Sequence, residues 1–350
     1  MGRATIKGIA AAAGVSTATV DRALNGRPGV SSANRQRVLV AARDLGYLPS
    51  EGMVLLPSKP AELEFLVPFD HNAFMSDIIA YLTEFAASLP LVKSCKVTPL
   101  SGIGPKALTA ALENLSLYTQ GVGIIATDHV ENRRSITALC DAGVRVVTLA
   151  SDIPDTPRSA YVGMDNHVAG KTAARLMGMS HRARRGKIAV FLGSHDYHGH
   201  REREAGFREV MSRKYPNLKL LSAIEAGEDN YRLQDITERL LECHPNLQGI
   251  YCIGAGRKGI VAATNGVASE KRPFIVMHDL TKNSAAWLAE NRIDAVVDQN
   301  ARLVAEQAII RLLGSIATGT PLLPTIHVEP RIILAENLPT PRDAMSQRGR

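Results

Sequence analysis

The spacing of apolar residues in the first fifty positions constrains this chain more than any other feature. The stretch runs ATIKGIAAAAGVSTATVDRALNGRPGVSSANRQRVLVAARDLGYLPS from Ala4 to Ser50. Ile6, Ile9, Ala10 and Ala13 recur at helical spacing and give one apolar face. Gly14-Val15-Ser16 interrupts it. Glycine supplies the positive φ of a tight turn, and Ser16 can cap a second helix from Thr17 to about Leu24. Val20, Ala23 and Leu24 would pack that helix against the first. A third helix is predicted after a cap at Ser31, with Val38, Ala41, Ala42 and Leu45 turned inward and Gly46 just past its end. Two short helices joined by a glycine-containing turn are a helix-turn-helix.

Such a unit lets its second helix enter the DNA major groove while the first crosses the backbone. Thr17, Ala18 and Arg22 would face outward from the second helix. Arginine can bond guanine O6 and N7 together, and a small side chain can meet a thymine methyl. Thr5, Ser16 and Thr19 complete the DNA-facing set, and Asn25, Arg27, Ser31, Asn34 and Arg35 are placed to bond phosphates. Charge agrees. Residues 1–60 hold eight Lys/Arg against three Asp/Glu, so most of the formal +7 of the 350-residue chain sits on this small module. A solvated basic tail would not carry its charges on patterned helices.

The run AAAGVSTATVDRALNGRPGVSSANRQRVLVAARDLGYLP resembles the headpiece of the lactose-repressor (LacI/GalR) family of bacterial transcription regulators. The shared elements are AGVS, the TV-R-LN of the second helix, the VS that opens the third, and the LGY-P exit. Two departures stand out. Asp21 occupies a position where the family usually has Ser. The family's hinge helix, PN-x-x-A-R-x-L, is replaced by Pro49-Ser50-Glu51-Gly52-Met53-Val54-Leu55-Leu56-Pro57. The resemblance puts Leu56 where the hinge leucine wedges into the minor groove, although Gly52 and Pro57 weaken any helix there.

After a linker at 49–60 the pattern changes to short apolar strands alternating with amphipathic helices. Strands are predicted at 64–67, 96–100, 123–126, 144–149 and 160–162, then at 187–192, 219–225, 249–253, 274–278 and 295–298. Helices such as 74–88, 106–117 and 167–178 lie between them. This alternation implies parallel sheets covered on both faces, in two lobes. No apolar run is long enough to cross a bilayer and no signal peptide opens the chain. Cys95, Cys140, Cys243 and Cys252 show neither pairing nor metal spacing. Free thiols of this kind suit a reducing cytoplasm, the expected location.

Local matches extend the resemblance over nearly the whole chain: Asn72-Ala73-Phe74, YVGMDNHVAG at 161–170, REREAGF at 201–207, HPNLQGIY at 244–251 and DQN at 298–300. The implied fold is an all-α helix-turn-helix headpiece, 1–48, followed by the hinge and a two-lobed α/β effector domain, 61–340, of the periplasmic-binding-protein (type I) kind. The lobes would be about 61–163 with 299–323, and 164–298 with 324–340, the chain crossing near Asp165, Gln299 and Pro324. Ligands of this fold bind between the lobes at the carboxyl ends of the strands. The resemblance places Asn72, Phe74, Asp165, Arg203, Asp279 and Gln299 there, with Asp165 equally suited to cap the next helix.

Gly254-Ala255-Gly256-Arg257-Lys258-Gly259 stands where relatives have Asn-Asp. Alone it reads as a dinucleotide fingerprint, and a nicotinamide-dependent enzyme is the alternative it offers. Its place deep in the second lobe favours another reading: Gly254 opens a cleft with free backbone N–H groups at a helix N-terminus, suited to an anionic sugar derivative. His195, His198 and His200 have no metal-site spacing, and no catalytic triad or carboxylate pair stands out. The expected protein is therefore not an enzyme and needs no cofactor. It is an effector-responsive transcription regulator, expected to be a repressor of carbohydrate genes, that binds a palindromic operator as a homodimer. A constitutive DNA-binding protein without ligand is the remaining alternative.

Overall fold

The computed structural model describes residues 5–24, 29–31, 34, 37–38, 40–42, 45, 56–68, 72–180, 185–227, 229–254, 256–318 and 326–339. At the amino end, helix Ile6–Ala13 is capped by Thr5, whose hydroxyl accepts from the Gly8 N–H at 3.2 Å. Gly14, at φ 63°, ends that helix in the left-handed region where glycine carries no Cβ penalty. Ser16 Oγ accepts from the Thr19 N–H at 3.1 Å and starts helix Thr17–Leu24. Ile9, Ala13, Val20, Ala23, Val38 and Ala42 form the buried centre of a separate small core. Two residues expected inside are at its rim: Ile6 is 37% and Leu45 44% exposed.

The remainder forms two α/β lobes. The first holds a sheet in the order β12-β5-β4-β3-β1-β2, with β1 Ala61–Pro68, β2 Val92–Leu100, β3 Gly121–Ile124, β4 Arg145–Leu149, β5 Ala160–Met164 and β12 Ile326–Val328. All its pairings are parallel. Such strands are covered on both faces and therefore read as continuous apolar runs. Helices Ala73–Ser88 and Ala301–Thr318 pack on one face, burying Phe65, Ile78, Leu82 and Ile309. Leu108 and Ile136, from helices Pro105–Leu112 and Val130–Asp141, close the other.

The second sheet has the order β13-β11-β10-β9-β6-β7, with the short β8 Ile224–Glu225 paired to β6. Its strands are β6 Gly186–Leu192, β7 Leu218–Leu220, β9 Leu247–Cys252, β10 Phe274–His278, β11 Ala295–Asp298 and β13 Arg331–Ile333, of which only β13 is antiparallel. On one face, helices Asn166–Ser180 and His198–Lys214 cross at backbone distance. A Cβ on Gly206 would lie 2.1 Å from the His167 carbonyl oxygen, and one on Gly170 would lie 2.0 Å from that of Arg203.

Two crossings between lobes fall where expected, at Asp165 and at Gln299–Asn300. The third does not. Residues 326–328 pair with β5 in the first sheet, so the chain changes lobes at Glu329–Pro330, and the first lobe extends past the expected boundary at 323. Pro324 itself lies outside the described residues. The single strand expected over 219–225 is split into β7 and β8, and the helix expected to reach Leu117 ends at Leu112. No described helix is long and apolar enough to cross a membrane.

Candidate functional site

The strands of both lobes end at a shared cleft lined by residues of both. Of the residues expected there, Asn72, Phe74, Arg203, Gly254, Asp279 and Gln299 line it.

Arg203 is 4% exposed and fixed on two sides. Its Nε donates to Asn166 Oδ1 at 2.7 Å and its Nη1 to the Ile253 carbonyl at 3.1 Å. Asn166 in turn donates to Tyr161 OH at 3.0 Å, which ties the arginine back to the first lobe. Nη2 makes no hydrogen bond within the described residues and remains available. Asp279, at φ 67°, follows β10 and accepts from Gln299 Nε2 at 2.7 Å. Burial pushes its pKa upward by more than Arg257, Arg203 and Gln299 hold it down. Gln299 Oε1 is a buried acceptor with no hydrogen-bond partner among the described residues. His200, also in the wall, is pushed down to about 3 by burial and then by the Arg203 charge, and is neutral. Its Nδ1 lies 3.1 Å from the Ser194 carbonyl, the geometry of a donated N–H.

Asp165 is used differently. It caps helix Asn166–Ser180, its Oδ1 accepting from the Val168 N–H at 2.9 Å, and it does not line the cleft. The neighbouring Asn166 has the site role instead, as the residue that aims Arg203. Asn72 also caps, accepting from the Phe74 N–H at 2.9 Å, while standing in the cleft wall.

Sequence reasoning missed Arg257. It is 7% exposed and lies behind the wall. It donates to the carbonyls of His278 and Asp279, pairs with Asp279 Oδ2 at 3.5 Å, and reaches Asn72 Oδ1 of the other lobe at 3.4 Å. The glycines around it serve packing. A Cβ on Gly254 would lie 2.7 Å from Gly193 N, and one on Gly259 would lie 2.1 Å from the Asn230 carbonyl oxygen. Gly256, at φ 78°, caps a helix of 7 residues whose first side chain, Arg257, turns onto Asp279. Close backbone approach is by itself a sufficient reason for Gly254 and Gly259, and positive φ for Gly256.

The opposite rim joins the lobes through Asp128, whose side chain is 3% exposed. It accepts from Arg133 in its own lobe at 2.7 Å and from Arg201 across the cleft at 2.7 Å. Its backbone N–H donates to the Asp196 carbonyl at 2.8 Å, and the Gly199 N–H donates to Ser151 Oγ at 3.1 Å. Burial disfavours the Asp128 carboxylate, but bonds and charges from the two arginines outweigh it and hold its pKa below the usual 3.8. A depressed pKa gives stability that is present above the unfolded value and lost as pH falls through the folded one. Asp128→Asn should therefore melt below wild type at pH 7, with the gap closing as pH falls below about 4. Differential scanning fluorimetry across pH 3–7 checks this, and a pH-independent gap would exclude the ionic link.

In the headpiece, Thr17, Ala18 and Arg22 are exposed on the second helix, as a DNA-reading surface requires. Thr5 and Ser16 act as helix caps and Thr19 bonds Ser16 Oγ at 2.9 Å, so all three sit at helix starts. Ser31 Oγ accepts from the Asn34 N–H at 3.3 Å, and Asn34 Oδ1 accepts from Arg37 at 2.5 Å. Leu56 is 50% exposed. Asn25, Arg27, Arg35 and residues 49–55 of the hinge lie outside the described residues.

A small helix-turn-helix module thus stands ahead of two α/β lobes with a cleft between them. Residues 63–320 match the periplasmic binding protein domain, and residues 5–50 match the bacterial regulatory proteins of the lacI family. The chain belongs to the periplasmic binding protein domain family and carries ahead of that domain the helix-turn-helix domain of the lacI regulatory proteins. It is 27% identical over 213 residues to the HTH-type transcriptional regulator DegA of Bacillus subtilis, spanning 60% of this chain and 61% of that one. Among solved structures, a glucose-galactose binding protein from Geobacillus stearothermophilus shares the fold at TM-score 0.71 and 19% identity, over 81% of this chain and 100% of the other. A solute binding protein from Burkholderia graminis, solved with D-arabinose, does so at TM-score 0.72 and 22% identity, over 81% and 98%. The relatives matched in sequence are regulators rather than enzymes.

Proposed function

We propose that this protein is an effector-responsive transcriptional repressor that binds a two-fold symmetric operator as a homodimer and holds a sugar or sugar-derived effector between its lobes. The observation that carries the reading is the union of an exposed Thr17-Ala18-Arg22 surface with a cleft that presents free donors and free acceptors side by side. Arg203 Nη2 donates, while Gln299 Oε1 and Asp279 accept. Hydroxyl groups do both and satisfy such a mixture. A carboxylate offers nothing to the acceptors and would stand against Asp279.

An effector changes operator affinity only if it prefers one lobe arrangement. The lobes here are bridged at both rims by Asp128–Arg201 and Arg257–Asn72, so closure of the cleft is the arrangement a ligand would bias.

Duplexes selected by the full-length protein from a random library test the DNA half. Paired half-sites of opposite orientation are expected. Arg22→Ala should weaken binding to the selected duplex by about 5- to 100-fold and relax one base position per half-site. Unchanged affinity would remove the second helix from recognition. Anisotropy of that duplex under titration with sugars, sugar acids and sugar phosphates, with NAD included, tests the rest. Operator affinity that no compound alters would favour the constitutive reading.

A further inference from the structure

We infer that the protein has a second ligand site, outside the cleft, for a small organic monocarboxylate with an apolar body. It lies beside helix Ala301–Thr318 over strands β5 and β12, and the carboxylate sits on Arg311.

Helical spacing builds one wall. Leu303, Gln307 and Arg311 follow one another at intervals of four residues on helix Ala301–Thr318 and so share a face. Val162 of β5 and Val328 of the adjacent β12, both buried, line the same cavity, whose volume of about 600 Å³ suits a small molecule. Among the described residues, none that lines it also lines the cleft.

Arg311 is the anomaly. Three arginines are buried among the described residues: Arg203, Arg257 and Arg311. The first two donate to carbonyls and side-chain oxygens. Arg311 is 7% exposed, and its Nη1 is buried with no hydrogen-bond partner among the described residues. Burial pushes its pKa below the usual arginine value, and no neighbouring carboxylate opposes that. An arginine nonetheless stays charged. A buried charge without a counter-ion is strongly unfavourable, and an oxyanion seated on the guanidinium relieves it. The planar fork matches the two oxygens of a carboxylate.

The rest of the lining narrows the ligand. Arg331 is already committed, since its Nε and Nη2 both donate to Asp298. Exposed Glu329 adds a negative group at the rim. One free guanidinium beside a carboxylate favours a single negative charge over a phosphate dianion. Leu303, Ile310, Val162 and Val328 offer side chains that bond no hydroxyl, so an apolar body is buried there at a gain.

Calorimetry and thermal melts of the full-length protein with benzoate, hexanoate and inorganic phosphate, each carboxylate beside its neutral amide, test this. At least one carboxylate should bind about tenfold or more tightly than its amide, and Arg311→Met should weaken it by about tenfold or more. Arg203→Met, which disables the cleft, should retain it. Without ligand, Arg311→Met should melt at or above wild type, because an apolar side chain replaces an unpaired buried charge. A lower melt, or a changed oligomeric state by sedimentation, would make the guanidinium a folding or subunit contact and overturn the inference. Carboxylate binding lost in Arg203→Met and kept in Arg311→Met would put the anion in the cleft and overturn it. Phosphate binding without carboxylate binding would overturn the ligand class. If no carboxylate binds, water alone serves Arg311 and the site falls. Each of these results leaves the effector reading of the cleft to its own titration.

Discussion

Gly206→Val is expected to unfold the second lobe. The Cβ it adds would stand 2.1 Å from the His167 carbonyl oxygen, 3.0 Å from its carbon and 3.2 Å from Lys171 N. All three are backbone atoms of a helix, and none can turn aside as a side-chain tip can. Relief requires separating helix His198–Lys214 from helix Asn166–Ser180 along their whole contact. That would open the core in which Ala173, Met177, Phe207 and Met211 are each fully buried. Overpacking a well-filled core costs about 1–3 kcal/mol, and a backbone clash exceeds that. A loss above about 4 kcal/mol would be a large part of a typical stability of about 5–15 kcal/mol. Loss of the cooperative thermal transition by circular dichroism is the expected readout. A melt within about 2 °C of wild type would mean that the helices do not cross this closely.

The same crossing shows what was legible in the sequence and what was not. Strand positions were legible because parallel strands buried on both faces read as apolar runs. Gly14 and Ser16 announced the headpiece turn because each does a job that few residues do. Function at Asp165 and Asn166 was harder to assign. Both are small and polar at a helix start, and only the fold decides that the aspartate caps while the asparagine aims Arg203. Arg257 was hidden for a different reason. It lies inside a glycine motif whose familiar meaning is phosphate binding, and its partners Asn72 and His278 are 185 and 21 positions away. Nothing local could have linked them. The third crossing was misplaced because β12 is 3 residues long, too short for periodicity to announce it.

Arg203→Met should abolish the effector response while leaving operator binding intact. Methionine keeps the aliphatic volume and removes every donor. Asn166 Oδ1 and the Ile253 carbonyl, now served at 2.7 and 3.1 Å, would lose those donors. Hydrogen bonds to a charged group contribute about 1.5–3 kcal/mol each. Loss of the effector contact through Nη2 alone therefore predicts about 10- to 100-fold weaker effector binding. The freed asparagine, no longer held against the arginine, adds to that. Lysine should not rescue, because one ammonium cannot span the asparagine, the carbonyl and the ligand that the planar fork serves together. Affinity for the operator without effector should stay within about threefold of wild type, since the headpiece core shares no residue with this network. Paired titrations of effector and of labelled duplex separate these outcomes. Wild-type effector affinity in Arg203→Met would move the ligand elsewhere. A parallel loss of operator affinity would mean that Arg203 acts through lobe geometry rather than by contact, because the guanidinium links Asn166 at the first crossing to β9 and so helps fix how the two sheets face each other.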